Sequence, residues 1–96
     1  MLITLERSGG FAGISKVMEI DSTELPQNKA EEVSILLEAA NFFNLPAYIA
    51  AAPNQRDRFE YTLAVENKGN QHTVTVAESA IPEDLKPLID WITDNS

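Results

Sequence analysis

The residues of this chain that could do chemistry are few, and their spacing argues against most of it. There is one histidine, His72, and there is no cysteine among 96 residues. A metal centre needs clustered imidazole, thiolate or carboxylate ligands. A serine nucleophile needs a base and a third group to orient that base. His72 is the only candidate base, and the chain has no Gly-x-Ser-x-Gly elbow. His72 alternates with Val74 and Val76, so it reads as a strand-end histidine with an ordinary hydrogen bond. Glu31 with Glu32, and Glu83 with Asp84, are adjacent carboxylates of the kind used in acid–base catalysis. Both pairs fall where helices are expected to begin, and the positive end of a helix dipole accounts for them. Gly9-Gly10-x-x-Gly13 precedes a strand pattern, not a helix whose N-terminus could hold phosphate. Arg56-Asp57-Arg58 is too small for nucleic acid and reads as a solvated turn. The expectation is a non-enzymatic protein without cofactor or metal.

Residues suited to recognition are better represented. Arg7-Ser8-Gly9-Gly10-Phe11-Ala12-Gly13 crowds three glycines, an arginine and a phenylalanine into one turn. Glycine permits positive φ and close approach of another backbone, so the turn serves either the fold or a partner. Phe11 has two readings: a cap folded over the end of a sheet, or an anchor that projects into a partner. Tyr48 and Ile49, in a small-residue segment between Pro46 and Pro53, pose the same choice.

Composition narrows the partners. Fifteen acidic residues oppose seven basic ones, for a net charge of −8. The excess is even, with seven acids against three bases in residues 1–48 and eight against four in residues 49–96. Such a surface repels phosphate backbones and anionic membranes, so neither nucleic acid nor membrane is an expected partner. Solubility accounts for such a charge, and attraction to a basic groove on another protein is the sharper reading of it. The start, Met1-Leu2-Ile3-Thr4-Leu5-Glu6-Arg7, lacks the basic-then-apolar pattern of a signal peptide, and the expected location is the cytoplasm. The length suits one domain over residues 1–96, monomeric when free.

The elements that would position these residues follow from periodicity. Ile3 and Leu5 alternate with Thr4, Glu6 and Ser8, the pattern of a half-buried strand, and residues 14–20 continue as its hairpin partner after a loop longer than two residues. Asp21 to Pro26 breaks the pattern. Asn28 with Glu31 predicts a capping box, and Val33, Leu36, Leu37, Ala40 and Phe43 predict one apolar stripe on a helix of about four turns, stopped by Pro46 near Asn44. This helix is expected to climb back along the sheet. A long loop at 46–57 would then share an end with the 8–13 turn. Phe59, Tyr61, Leu63 and Val65 predict a third strand, Asn67-Lys68-Gly69-Asn70 a hairpin turn, and His72, Val74 and Val76 a fourth strand. Pro82-Glu83-Asp84 opens a final helix with Leu85, Leu88, Ile89 and Ile92 on its apolar face and Trp91 at the edge. The expected fold is α+β in the order β-β-α-β-β-α: a four-stranded antiparallel sheet on one long helix, with a short C-terminal helix at one end or flank.

Ile3-x-Leu5-x-Arg7-Ser8-Gly9-Gly10-Phe11-Ala12-Gly13-Ile14 resembles the opening of the emfourin family. Further likenesses are Phe42-Phe43-x-Leu45-Pro46, Asp57-x-Phe59-x-Tyr61, His72-x-Val74 and Pro82-x-x-Leu85-x-Pro87-Leu88, so the resemblance runs the length of the chain. It implies a small inhibitor of thermolysin-like zinc metalloproteases of the protealysin group, with the zinc belonging to the target. On that reading Arg7, Ser8, Gly9, Gly10, Phe11, Tyr48, Ile49 and Arg58 form the protease-binding set. Phe11, Tyr48 or Ile49 would fill a pocket for bulky apolar residues, and Arg7 and Arg58 would pair with acidic residues of the cleft. The end with Met1, residues 21–28 and the 67–71 turn is the competing contact surface. An adaptor module with a different partner is the alternative function.

Overall fold

Alternating side chains on long antiparallel strands organise the molecule. The computed structural model describes residues 1–9, 14–50 and 59–95. Strand β1 (Leu2–Gly9) pairs with β2 (Ile14–Asp21) on one side and with β4 (Phe59–Asn67) on the other, both antiparallel. β4 turns into β5 (Asn70–Ala77) through Lys68 and Gly69. Both turn residues have positive φ, 50° and 83°, as a type I′ hairpin requires. The sheet order is β2-β1-β4-β5-β3.

The fifth strand, β3 (Tyr48–Ile49), corrects the expected sheet. It lies within the segment read from sequence as a long loop and pairs parallel to β5, so the sheet is mixed and five-stranded. Two residues give no periodicity to read. What holds them is pairing to Thr75 and Val76, with the Thr75 amide donating to the Ala47 carbonyl at 2.8 Å.

One face of the sheet makes the core. Ile3, Leu5, Met18, Ile20, Leu63, Val65, Val74 and Val76 project from it and are buried with Val33 and Leu37 of α1 (Gln27–Ala39) and Leu88, Ile89 and Ile92 of α2 (Lys86–Asn95). Leu85 is buried in the turn that precedes α2, where its amide donates to the Pro82 carbonyl at 2.9 Å. α2 packs beside α1: the Trp91 indole donates to Glu32 across the pair at 2.9 Å. The other sheet face carries Thr4, Glu6, Glu19, Thr62, Thr75 and the exposed Val17.

α1 departs from expectation in three ways. Its N-cap is Pro26, with no side-chain cap, and Glu31 accepts instead from Gln27 at 3.2 Å. It ends at Ala39, because Asn41 adopts left-handed φ (50°) and the chain tightens into a 3-10 turn over Phe42–Asn44. That reversal shifts the phase of the apolar stripe. Phe42, not Phe43, enters the core, at 1% exposure against 42%. The helix also does not carry the chain back along the sheet. Leu37, Glu38 and Asn41 line a cleft with Met1 and Asn67, so α1 finishes near the sheet end where β2 finished. Residues 45–49 make the return alongside β5, with His72 Nε2 hydrogen-bonded to the Leu45 carbonyl at 2.7 Å.

Candidate functional site

The sheet has two unlike ends. At the first, β1 stops at Gly9, β2 begins at Ile14, β3 stops at Ile49 and β4 begins at Phe59; register pairs Gly9 with both Ile14 and Phe59, and Glu60 with Ala77. The described parts of the predicted recognition set therefore meet at one end: Arg7, Ser8 and Gly9 on β1, Tyr48 and Ile49 on β3. Gly10, Phe11 and Arg58 lie outside the described residues. Gly9 takes φ of 120°, a conformation that favours glycine.

Arg7 belongs by parity to the core face of β1, with Ile3 and Leu5, but at the strand's end. Its side chain is half-exposed there and also finds partners inside the chain. Its guanidinium lies 3.9 Å from the centroid of the Phe59 ring and its Nη2 lies 3.8 Å from Glu78 Oε2. Phe59 sits opposite Gly9, which puts no side chain beside the ring. The pair with Glu78 is half-exposed and worth little alone, while the ring contact adds about 0.5–1 kcal/mol. Nε of Arg7 is buried without a hydrogen-bond partner among the described residues.

Tyr48 works from the opposite face. It stands beside Thr75 in register, and its hydroxyl reaches across β5 to donate to Glu60 Oε2 at 3.0 Å. That bond to a carboxylate, with the negative charge itself, raises the phenol pKa above its usual value near 10. The side chain is 58% exposed. Ile49, its neighbour, turns to the core face and packs against the buried cluster. Beneath Tyr48, Thr62 and Thr75 share a hydroxyl hydrogen bond of 3.2 Å. Ser8 lies on the same face as Glu60, its partner in register.

Sequence reasoning missed Phe59, Glu60 and Glu78 as members of this end. The signal was Arg7 itself: an arginine in phase with Ile3 and Leu5 implies an aromatic ring or an acid to receive it.

The second end holds Met1, Asn41, Phe43 and Asn67 around an open cleft of about 440 Å³. The Ser22 amide donates to the Met1 carbonyl at 2.9 Å, and Asp21 accepts from the Thr23 amide at 3.0 Å and hydroxyl at 2.7 Å. His72 packs against both Phe42 and Phe43, with ring centroids 5.5 and 6.4 Å away, and its Nε2 is hydrogen-bonded to the Leu45 carbonyl. Among the described residues no group of histidine or carboxylates is arranged to hold a metal ion, and no helix is long and apolar enough to cross a membrane.

The whole is a small α+β body, a mixed five-stranded sheet backed by two helices. The sequence profile of the emfourin family matches residues 5–93, and the chain belongs to that family, one of metalloprotease inhibitors. No curated relative and no solved structure matches the chain.

Proposed function

We propose that this protein inhibits thermolysin-like, protealysin-type zinc metalloproteases by reversible tight binding in the substrate cleft. The contacting surface in this reading is the end of the sheet that carries Arg7, Ser8 and Gly9 on β1 and Tyr48 and Ile49 on β3. The observation that carries it is the family match over nearly the whole chain. The arrangement of the first end supports it, because a protein that occupies a protease cleft without being consumed needs its contact surface held rigid by the body. The even acidity of the chain suits a cleft of opposite potential and would speed encounter.

The test is a titration of the purified protein into a thermolysin-like protease with a quenched peptide substrate, beside an unrelated serine protease. Selective loss of metalloprotease activity, with the inhibitor intact on a gel, is the expected result. Activity untouched at micromolar inhibitor across several enzymes of the group removes the reading. Amide-exchange protection in the complex then separates the two ends: protection at Gly9, Ile49 and Phe59 assigns the contact to the first, and protection at Asn41, Phe43 and Asn67 assigns it to the second.

A further inference from the structure

The first two residues of β4 are gripped from opposite faces of the sheet. On the core face, Arg7 leaves β1, crosses to β4 and lies over Phe59 at 3.9 Å, then meets Glu78 beyond the end of β5 at 3.8 Å. On the open face, Tyr48 leaves β3, spans β5 and donates to Glu60 on β4 at 3.0 Å. Two side chains thereby tie β1, β4, β5 and β3 together at the end where β1, β3 and β5 stop and β4 begins. Elsewhere the sheet rests mainly on its backbone ladders and its core, with the Thr62–Thr75 and His72–Leu45 hydrogen bonds added. On β1 the apolar residues end here: Arg7 takes the place that Ile3 and Leu5 hold further down the strand, although Val76 in the same row of the sheet stays buried. Backbone at the end of a sheet frays unless side chains hold it.

We infer that Arg7 and Tyr48 are positioning residues for inhibition. They lock Phe59 and Glu60 from the two faces and hold the strand termini in the geometry that binds, instead of reaching into the protease. The inference rests on the inhibitor reading and deepens it. Both side chains are already engaged within their own chain. To pair with an acidic cleft residue, Arg7 would leave the Phe59 ring and Glu78. To enter an apolar pocket, Tyr48 would strip its hydroxyl of a charged acceptor. Each move costs what an internal contact contributes, whereas a lock spends nothing at the moment of docking, because its ordering cost is met on folding.

The experiment is a double-mutant cycle on Tyr48→Phe and Glu60→Ala, with Phe59→Leu, Phe59→Trp and Arg7→Lys beside it, read as the inhibition constant and as amide exchange of the free protein. If the lock acts, Tyr48→Phe and Glu60→Ala each weaken inhibition about ten-fold, the scale of one hydrogen bond to a charged group. The double variant is then no weaker than either single. Phe59→Leu and Arg7→Lys weaken it by several-fold, and Phe59→Trp restores it by keeping a ring face under the guanidinium. Exchange at Gly9, Ile49 and Phe59 quickens in the weakened variants, while the midpoint of global unfolding moves little. Tyr48→Phe that inhibits like wild type overturns the inference, since a pocket-filling ring would be unaffected by loss of the hydroxyl. Additive losses in the cycle, or weaker inhibition with unchanged exchange, overturn it too. Wild-type protein that inhibits no thermolysin-like protease sinks the parent reading instead, and the exchange arm, read without protease, still decides whether the lock exists.

Discussion

The two ends of the sheet solve the same problem in different ways. Every strand end leaves backbone and side chains that the core no longer covers. At the second end the chain spends apolar bulk: Phe42 drops into the core, His72 packs against it, and Leu45 is tied down by the His72 ring nitrogen. At the first end it uses charge and hydroxyl chemistry: Arg7 over Phe59, Tyr48 to Glu60. An apolar plug is insensitive to solvent and stabilises the whole fold. A polar lock is weaker, local and open to water, so it sets the geometry of an edge without dominating global stability. The difference is in what each end is built from: the second anchors the α1-to-β3 connection through packed rings, and the first is held by polar side-chain contacts.

The largest effect that separates them is steric. Phe42→Ala is expected to cost about 3–5 kcal/mol in urea unfolding, the range for a fully buried phenylalanine. Phe43→Ala, 42% exposed, is expected to cost about 1 kcal/mol or less. Similar losses for the two variants would mean that both rings carry the plug and that the second end is as much surface as core. None of the first-end lock substitutions should approach the Phe42 value.

That pair of phenylalanines also shows what the sequence could and could not disclose. The strands of both hairpins are legible because Ile3, Leu5, Leu63, Val65, Val74 and Val76 repeat with period two and all of them reach the core. The family likeness is legible in Arg7-Ser8-Gly9-Gly10-Phe11, and the profile match bears it out. The helical stripe Val33, Leu37 and Ala40 is legible as well, but extrapolating its period to Phe43 fails, because Asn41 turns left-handed and resets the phase. Nothing in a helical period announces such a break; asparagine is merely tolerant of it. β3 is hidden for another reason. Its two residues are strand only by virtue of β5 beside them, a tertiary fact with no local pattern. At the candidate site, the sequence brings out Arg7 and Tyr48 as unusual and leaves their partners unnamed, since Phe59, Glu60 and Glu78 are joined to them only by sheet register.

A smaller effect tests how the second end holds the return segment. His72 Nε2 donates to the Leu45 carbonyl at 2.7 Å, and the ring fills space beside Phe42. His72→Phe keeps the ring and abandons the carbonyl, which is expected to cost about 1–2 kcal/mol in urea unfolding. His72→Gln keeps a donor and gives up the ring contacts. If the Gln variant is the more stable of the two, the hydrogen bond is what holds Leu45, and the stacking is secondary. The reverse order makes the end a purely apolar plug, which sharpens the contrast with the first end.

The finest discrimination comes from titration, because each end has a carboxylate that accepts a hydroxyl hydrogen bond. At the second end, the Thr23 hydroxyl and amide hold Asp21 below its ordinary value of 3.8. Its contribution is therefore present above the unfolded value and is lost as pH falls through the folded one. At the first end, the affected group is the donor: Glu60 raises the Tyr48 phenol above 10.0. The Tyr48 contribution is fully present below the unfolded value and disappears as pH rises through the folded one. The second end thus loosens with acid and the first with alkali. Thr23→Ala is expected to bring Asp21 up toward 3.8 in an NMR titration, and Glu60→Ala to bring Tyr48 down toward 10.0 by ultraviolet absorbance. Amide exchange supplies the spatial check: Gly9 and Ile49 should lose protection at alkaline pH with the tyrosine titration, while Ser22 and Thr23 stay as they were. If the two ends instead lose protection together, the lock is not local, and the first end is coupled to the core as tightly as Phe42 couples the second.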